Sequence, residues 1–153
     1  YHMTKSKQTA LELVQKYNTR SPEQLCALLS IKVMQYEMTD NIHGFYAIIK
    51  NKQVIYLDIN LEPEQKSQVL AHELGHVLLH GEKNLLFLSK YTLFVPSRYE
   101  READLFAAYL LTDKERLNGF GYNVIATEQL AAMCGISLQM AEMIAEDTQY
   151  LLS

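Results

Sequence analysis

The five residues from His72 to His76, His-Glu-Leu-Gly-His, constrain this chain more than any other part of its sequence. Two histidines four residues apart on an α-helix project from one face, separated by one turn of about 5.4 Å. Their ring nitrogens can therefore reach one metal ion at about 2.0–2.1 Å, the usual Zn–N distance. Glu73 is offset around the helix and can act instead as a general base toward water. The pattern is typical of zinc metallopeptidases.

The residues around this motif predict one long helix from Pro63 to His80. Pro63 suits the first turn of a helix, and Glu62 and Glu64 suit the positive end of the helix dipole. Gly81 is expected just past the last turn. An ordinary amphipathic helix with two exposed histidines is the alternative interpretation, and this context argues against it. The apolar face expected to pack into the core consists of Val69, Leu70, Leu74, Val77 and Leu78.

The length of 153 residues is sufficient for one well-buried core, so we expect a single domain over residues 1–153. Residues 1–126 are expected to form the metallopeptidase core, and residues 127–153 a helical C-terminal segment. Tyr1 and His2, before Met3, are expected to be a remnant of expression. The net charge of −4 gives no general electrostatic attraction to nucleic acid.

Three features of the sequence favour a cytoplasmic protein that does not bind membranes. No apolar run approaches the roughly 20 residues that span a bilayer. No signal peptide opens the chain. Cys26 and Cys134 lie far apart in apolar helical patterns and are expected to be free thiols rather than a disulfide.

Three short strands are predicted between the first two helices and the metal-site helix. The helices are expected at Thr4–Asn18 and from Ser21 onward, because Ser21 and Pro22 form a strong helix start. We expect an α+β fold with a small antiparallel three-stranded sheet packed with a zinc-protease helix pair. An edge of such a sheet can pair with an extended peptide, but the outermost strand is left open. The strands are expected at 31–38, 45–50 and 54–59, with a tight turn at Asn51-Lys52.

A third metal ligand is expected from a second helix, predicted over Ser97–Leu111. A catalytic zinc site needs three protein ligands and one open position. Glu100 and Asp104 share one helix face, so Glu100 could bind the metal while Asp104 accepts the outer N–H of a ligand histidine. Glu102 lies on another face and is expected to pair with Arg98 or with solvent. Without the histidine motif, a solvated acidic face would be the better interpretation.

Two other histidines are not expected to bind this metal. His80 follows His72 by eight residues, about 12 Å of helix rise, so both cannot approach one ion at about 2 Å. His80 is expected instead at the helix end, where the dipole favours it. His43 lies in a predicted loop and is expected to be structural or exposed, with a role in lining a cleft left open. The apolar stretch 85–96 has no clear period. Core, an extra strand and a mobile wall of the substrate cleft are the open alternatives, and a mixture of them is expected.

With both helices interpreted, the pattern is similar to the ImmA/IrrE family of metallopeptidases. This resemblance implies Zn²⁺ bound by His72, His76 and Glu100, with Glu73 catalytic. Asp104 occupies a position often held by Asn in that family. The resemblance implies a zinc-dependent endopeptidase that cleaves a partner repressor of a mobile element, prophage or stress response. A non-catalytic regulator that binds the repressor is the alternative. The segments that carry the resemblance are Leu13–Pro22, His72–His80 and Glu100–Leu111.

The C-terminal segment resembles a helix-turn-helix over residues 129–144. DNA reading would need basic or amide side chains on the second helix. That helix instead carries Glu142, Glu146 and Asp147, which repel phosphate, so DNA binding is not expected. The sequence favours a packed helical pair that contacts the protein substrate, and a plain role in the core is an equal alternative.

Overall fold

The computed structural model describes residues 3–39, 41–81, 97–118 and 126–147. These ranges contain seven helices and a three-stranded sheet, which confirms the predicted α+β class. The apolar stretch 85–96 lies outside the described residues. The helices are α1 (Lys5–Tyr17), α2 (Pro22–Leu28), α3 (Pro63–His80), α4 (Ser97–Leu111), α5 (Lys114–Asn118), α6 (Thr127–Cys134) and α7 (Leu138–Ala145). The strands are β1 (Lys32–Tyr36), β2 (Gly44–Ile49) and β3 (Lys52–Asp58).

Helix α3 has the bounds that its capping residues predict. At its start the N–H of Glu62 donates to Oε1 of Gln65 at 3.3 Å, and Pro63 occupies the first turn. Gly81 ends the helix, but with a φ of −59° rather than in the left-handed conformation expected of a terminal glycine. Its N–H still donates to the Val77 carbonyl at 3.1 Å, so the helical hydrogen bonding continues to this residue.

The sheet is mixed, with the order β1-β3-β2. The predicted antiparallel pairing holds for β2 and β3, whereas β1 runs parallel to β3. The chain leaving β1 crosses the end of β3 to reach the far edge, because the more buried β3 takes the centre. Asp58 N–H donates to the His43 carbonyl and Ile59 N–H to the Tyr36 carbonyl at this crossing. The two-residue turn is Lys50-Asn51, one residue earlier than predicted, with both φ angles positive.

Helices α3 and α4 lie close together because their contact is built from small residues. A Cβ added at Gly75 would lie 2.9 Å from Cδ1 of Phe106 and 3.2 Å from Cα of Ala103. The interior between the helices is filled by fully buried side chains such as Leu74 and Leu110. This approach brings the acidic residues of α4 against the histidines of α3.

The C-terminal helical pair packs into the same core. Gly135 takes the left-handed φ of +65° that ends α6, and its carbonyl accepts a 3.0 Å hydrogen bond from Gln68 of α3. At the end of α7, Asp147 forms an ion pair with Lys7 and accepts a hydrogen bond from the hydroxyl of Tyr109. The core role that the sequence left open therefore applies to the inner face of this pair. Its buried residues are Leu130, Ile136, Met140, Ala141 and Ile144.

Two smaller expectations concern the cysteines and membranes. Cys26 and Cys134 are both free, and burial raises the pKa of the Cys26 thiol to about 12, which keeps it protonated and unreactive. Within the described ranges, no helix combines the length and apolar character needed to cross a bilayer.

We predict that Gly75→Ala destabilises the protein by about 1–3 kcal/mol, because the new methyl group has no room between the helices. In a helix without this close contact, the same change would stabilise the protein by about 0.5–1 kcal/mol. The sign of the change in the free energy of unfolding therefore distinguishes the two cases. The free energy of unfolding in urea is the measurement. A stabilised variant would contradict the close contact.

Candidate metal centre

Three side chains from α3 and α4 converge on one point. Nε2 of His76 lies 2.6 Å from Oε1 of Glu100 and 3.1 Å from Nε2 of His72. Nε2 of His72 lies 3.3 Å from Oε2 of Glu100. One ligand atom from each residue lies within 4.8 Å of the others. The structure thus brings together the three residues predicted as metal ligands.

The spacing and chemistry of these donors fit a zinc ion. Two ligands that are each about 2.0–2.1 Å from a tetrahedral ion lie about 3.3 Å apart, close to the separations of the two imidazoles and of His72 from Glu100. The shorter contact between His76 and Glu100 has the length of a hydrogen bond. Two imidazoles and one carboxylate are a ligand set of catalytic zinc sites, which leave one position open.

Asp104 contacts the opposite side of the His72 ring. Its Oδ1 lies 2.7 Å from Nδ1 of His72, which leaves Nε2 facing the other donors. Burial lowers the pKa of His72, but hydrogen bonds to Asp104 and Glu100 outweigh it and raise the pKa to about 10. Hydrogen bonds from His72 and His76 hold the pKa of Glu100 well below its usual range. Without a metal, the site is therefore a cluster of opposite charges.

Glu73 is the buried carboxyl group of the site, with 8% of its surface exposed. Burial raises the pKa of Glu73, and its electrostatic interactions with the neighbouring His72 and His76 oppose that rise. Glu100 is 47% exposed and its pKa shifts the other way. Two carboxyl groups with opposite shifts suit different roles, one as a permanent anion and one as a group that exchanges a proton.

Sequence reasoning missed Tyr46, which lies on β2 and packs against the site. Its ring stacks on His76, with centroids 6.1 Å apart and an interplanar angle of 23°. Burial, and then the charge of Glu73, raises the pKa of Tyr46, so the hydroxyl keeps its proton. The alternation of β2 offers Tyr46 as an inward-facing residue. The alternation does not indicate which helix the Tyr46 side chain contacts.

His80 and Glu102 lie beside the three donors without joining them. His80 is buried, its ring stacks on Tyr99 at 4.2 Å, and its Nε2 lies 3.7 Å from Oε2 of Glu102. Glu102, which was expected to pair with Arg98 or solvent, is partly exposed and faces His80. The sequence-based separation of His80 from the three predicted ligands agrees with this position.

An open pocket of about 470 Å³ lies beside His72 and Glu73. Its wall includes His43, so the role that the sequence left open for this residue is in the pocket lining. Met140 of α7 forms another part of the wall, which brings the C-terminal segment next to the site. The remaining lining residues are Asn41, Ile42, Gly44, Gln68, Val69 and Asp104.

The α+β fold and the converging donors fit the metallopeptidase class. Residues 26–145 match the M78 peptidase family, described as the IrrE N-terminal-like domain, and the chain belongs to this family. The resemblance to ImmA/IrrE proteins is thereby confirmed.

Two relatives share most of their length with this chain. Uncharacterized immunity region protein 2 of Bacillus phage phi105 is 31% identical over 131 residues, which cover 86% of this chain and 83% of the phage protein. Metallopeptidase ImmA of Bacillus subtilis (strain 168) is 26% identical over 122 residues, which cover 78% of this chain and 72% of ImmA. Family membership implies a metal, and the site described above is where His, His and Glu could hold it.

We predict that Glu100→Ala abolishes stoichiometric metal binding, whereas Glu102→Ala preserves it. Glu100 contacts both histidines, while Glu102 faces His80 on the other side. Metal content of the parent and both variants, measured after zinc loading and desalting, tests this. Equal metal loss in both variants would contradict the assignment of Glu100.

We predict that the metal-free protein loses stability as pH rises from about 6.5 to about 10. His72 has a pKa of about 10 in the folded state, above the ordinary value of about 6.5, so its contribution is present below pH 6.5 and is lost as the folded form deprotonates. Asp104→Asn removes one cause of the raised pKa and should flatten the dependence. Thermal unfolding in a chelator across this pH range is the measurement. Identical pH profiles for the two proteins would contradict it.

Proposed function

We propose that this protein is a zinc-dependent endopeptidase of the His-Glu-x-x-His type. The observation that carries the proposal is the convergence of His72, His76 and Glu100 beside the buried carboxyl group of Glu73. An open pocket that could take a substrate side chain adjoins His72 and Glu73. Membership of a peptidase family supports the same conclusion.

In this proposal, Glu73 moves the proton and the other residues position the reacting groups. Zinc held by His72, His76 and Glu100 would polarise a peptide carbonyl and lower the pKa of water toward about 7. Glu73 takes a proton from the attacking water and later delivers it to the leaving amine. Its burial favours the protonated form and thereby helps it hold the proton between these steps. Asp104 orients His72 by accepting the Nδ1 proton.

We infer that β2 guides the substrate. Among the strands that the structure describes, β2 lies at an edge of the sheet; it packs against α3, and its Tyr46 contacts His76. An extended peptide can add to such an edge through main-chain hydrogen bonds. Gly44, at the start of β2, also lines the pocket. A peptide paired with β2 could therefore place one side chain in the pocket beside Glu73.

The substrate we propose is a helix-turn-helix transcriptional repressor of a mobile element, prophage or stress response. One relative is named for the immunity region of a phage, and another is named as the metallopeptidase ImmA. A protease that controls such a repressor would act in the cytoplasm, where the repressor meets DNA. The exposed Glu142 on α7 and Glu146 at its C-terminal cap favour a protein over DNA as the partner.

A non-catalytic regulator that binds the repressor is the alternative function. Such a protein could keep the three ligands to stabilise its fold. It would have no use for Glu73, whose burial as a carboxyl group is costly without a chemical role. Glu73 therefore favours the enzyme.

We predict that Glu73→Gln retains about one zinc per chain and lowers the cleavage rate by about 10²–10⁴-fold, the usual contribution of a general base. The assay mixes the purified variant with the repressor encoded on the same element and follows its fragments by mass spectrometry. Glu102→Gln is the matched control and should keep both metal and cleavage. If Glu73→Gln relieves repression as well as the parent, the non-catalytic alternative is correct.

A further inference from the structure

Two buried polar atoms between β2 and α3 have no hydrogen-bond partner within the described part of the chain. They are the hydroxyl of Tyr46 and Nδ1 of His76. Both side chains are almost fully enclosed, with 4% and 3% exposed, and their rings stack on each other. Unpaired polar atoms are rare in protein interiors, so two in one contact call for an explanation.

The direction in which the His76 ring faces determines which of its nitrogens carries the proton. Nε2 points toward His72 and Glu100, so a neutral ring that binds a metal there carries its proton on Nδ1. Ligand histidines almost always donate this outer proton to a carboxylate, a carbonyl or a water. His72 has such a partner in Asp104. His76 needs an equivalent. The Tyr46 ring stacks on the His76 ring, whereas the His80 ring, 5.6 Å away, is tilted by 54° and its Nε2 faces Glu102.

We propose that Tyr46 is a positioning residue for His76, and that it holds the imidazole through one buried water. The water accepts the proton of His76 Nδ1 and hydrogen-bonds to the Tyr46 hydroxyl. The inference rests on the proposed function because it treats His76 as a metal ligand. Buried waters characteristically satisfy otherwise unpaired polar groups in this way.

The surroundings of His76 also explain why its proposed partner is a neutral tyrosine rather than a carboxylate. Glu73 is buried next to both residues, and its charge acts on Tyr46. A second carboxylate at this place would set two negative charges together in the interior, which is unfavourable. His72 is more exposed and can use Asp104 instead.

The test compares Tyr46→Phe with Tyr56→Phe, the matched control on β3, whose ring stacks on Phe45. The zinc dissociation constant is measured by competition with a chromophoric chelator. Loss of a partner that orients a ligand typically weakens metal binding 10–100-fold. We expect a loss in that range for Tyr46→Phe and less than a twofold change for Tyr56→Phe. An unchanged affinity in Tyr46→Phe, or an equal loss in the control, overturns the proposal.

Two measurements on the zinc-free protein separate this proposal from the proposed function. Nitrogen-15 spectra should show faster exchange of the His76 Nδ1 proton in Tyr46→Phe than in the parent. The melting temperature of that variant should not rise, because a rise would mean that the hydroxyl is unsatisfied in the parent. If the parent binds no zinc, the proposed function fails, and these two results alone decide the role of Tyr46. Unchanged exchange or a raised melting temperature overturns it.

Discussion

The metal centre depends on the close approach of α3 and α4 at Gly75. Any side chain at that position would meet Phe106 and the backbone of Ala103. The glycine within the histidine motif is thus a packing requirement rather than a chemical one. Because the helices run antiparallel, His72 meets Asp104 and His76 meets Glu100 one turn further on. The site is a property of the helix pair, and its precision derives from rigid elements rather than loops.

The two glutamates of the site, Glu73 and Glu100, differ in burial, and their pKa values shift in opposite directions. Glu100 lies half exposed between two imidazoles, which hold its pKa low and keep it an anion. Glu73 is one residue from a histidine on the same helix, yet burial raises its pKa. Two glutamates therefore differ in their tendency to hold a proton because their surroundings differ. A metal held by the three donors would replace the proton that His72 carries in the metal-free cluster.

The parts of this structure that follow from local sequence were the predictable ones. Helix α3 begins and ends where Pro63 and Gly81 predict, and the four-residue spacing from Glu100 to Asp104 brings both carboxylates to the histidines. The order of the strands was not predictable, since it depends on which strand the rest of the core buries most. The role of Tyr46 was not predicted for the same reason, because Tyr46 and His76 lie on different elements and are 30 positions apart in the sequence.

In the C-terminal segment, the sequence pattern predicts the local structure correctly but does not indicate its function. Its two helices and the glycine turn between them form as the helix-turn-helix pattern predicts. Their inner face packs against the core, and the Lys7–Asp147 ion pair attaches the far end of α7 to α1. Met140 then lies both in that core and in the wall of the pocket. Packing of this segment and the shape of the pocket are therefore linked, since a change that loosens α7 from α4 also moves the wall beside Glu73.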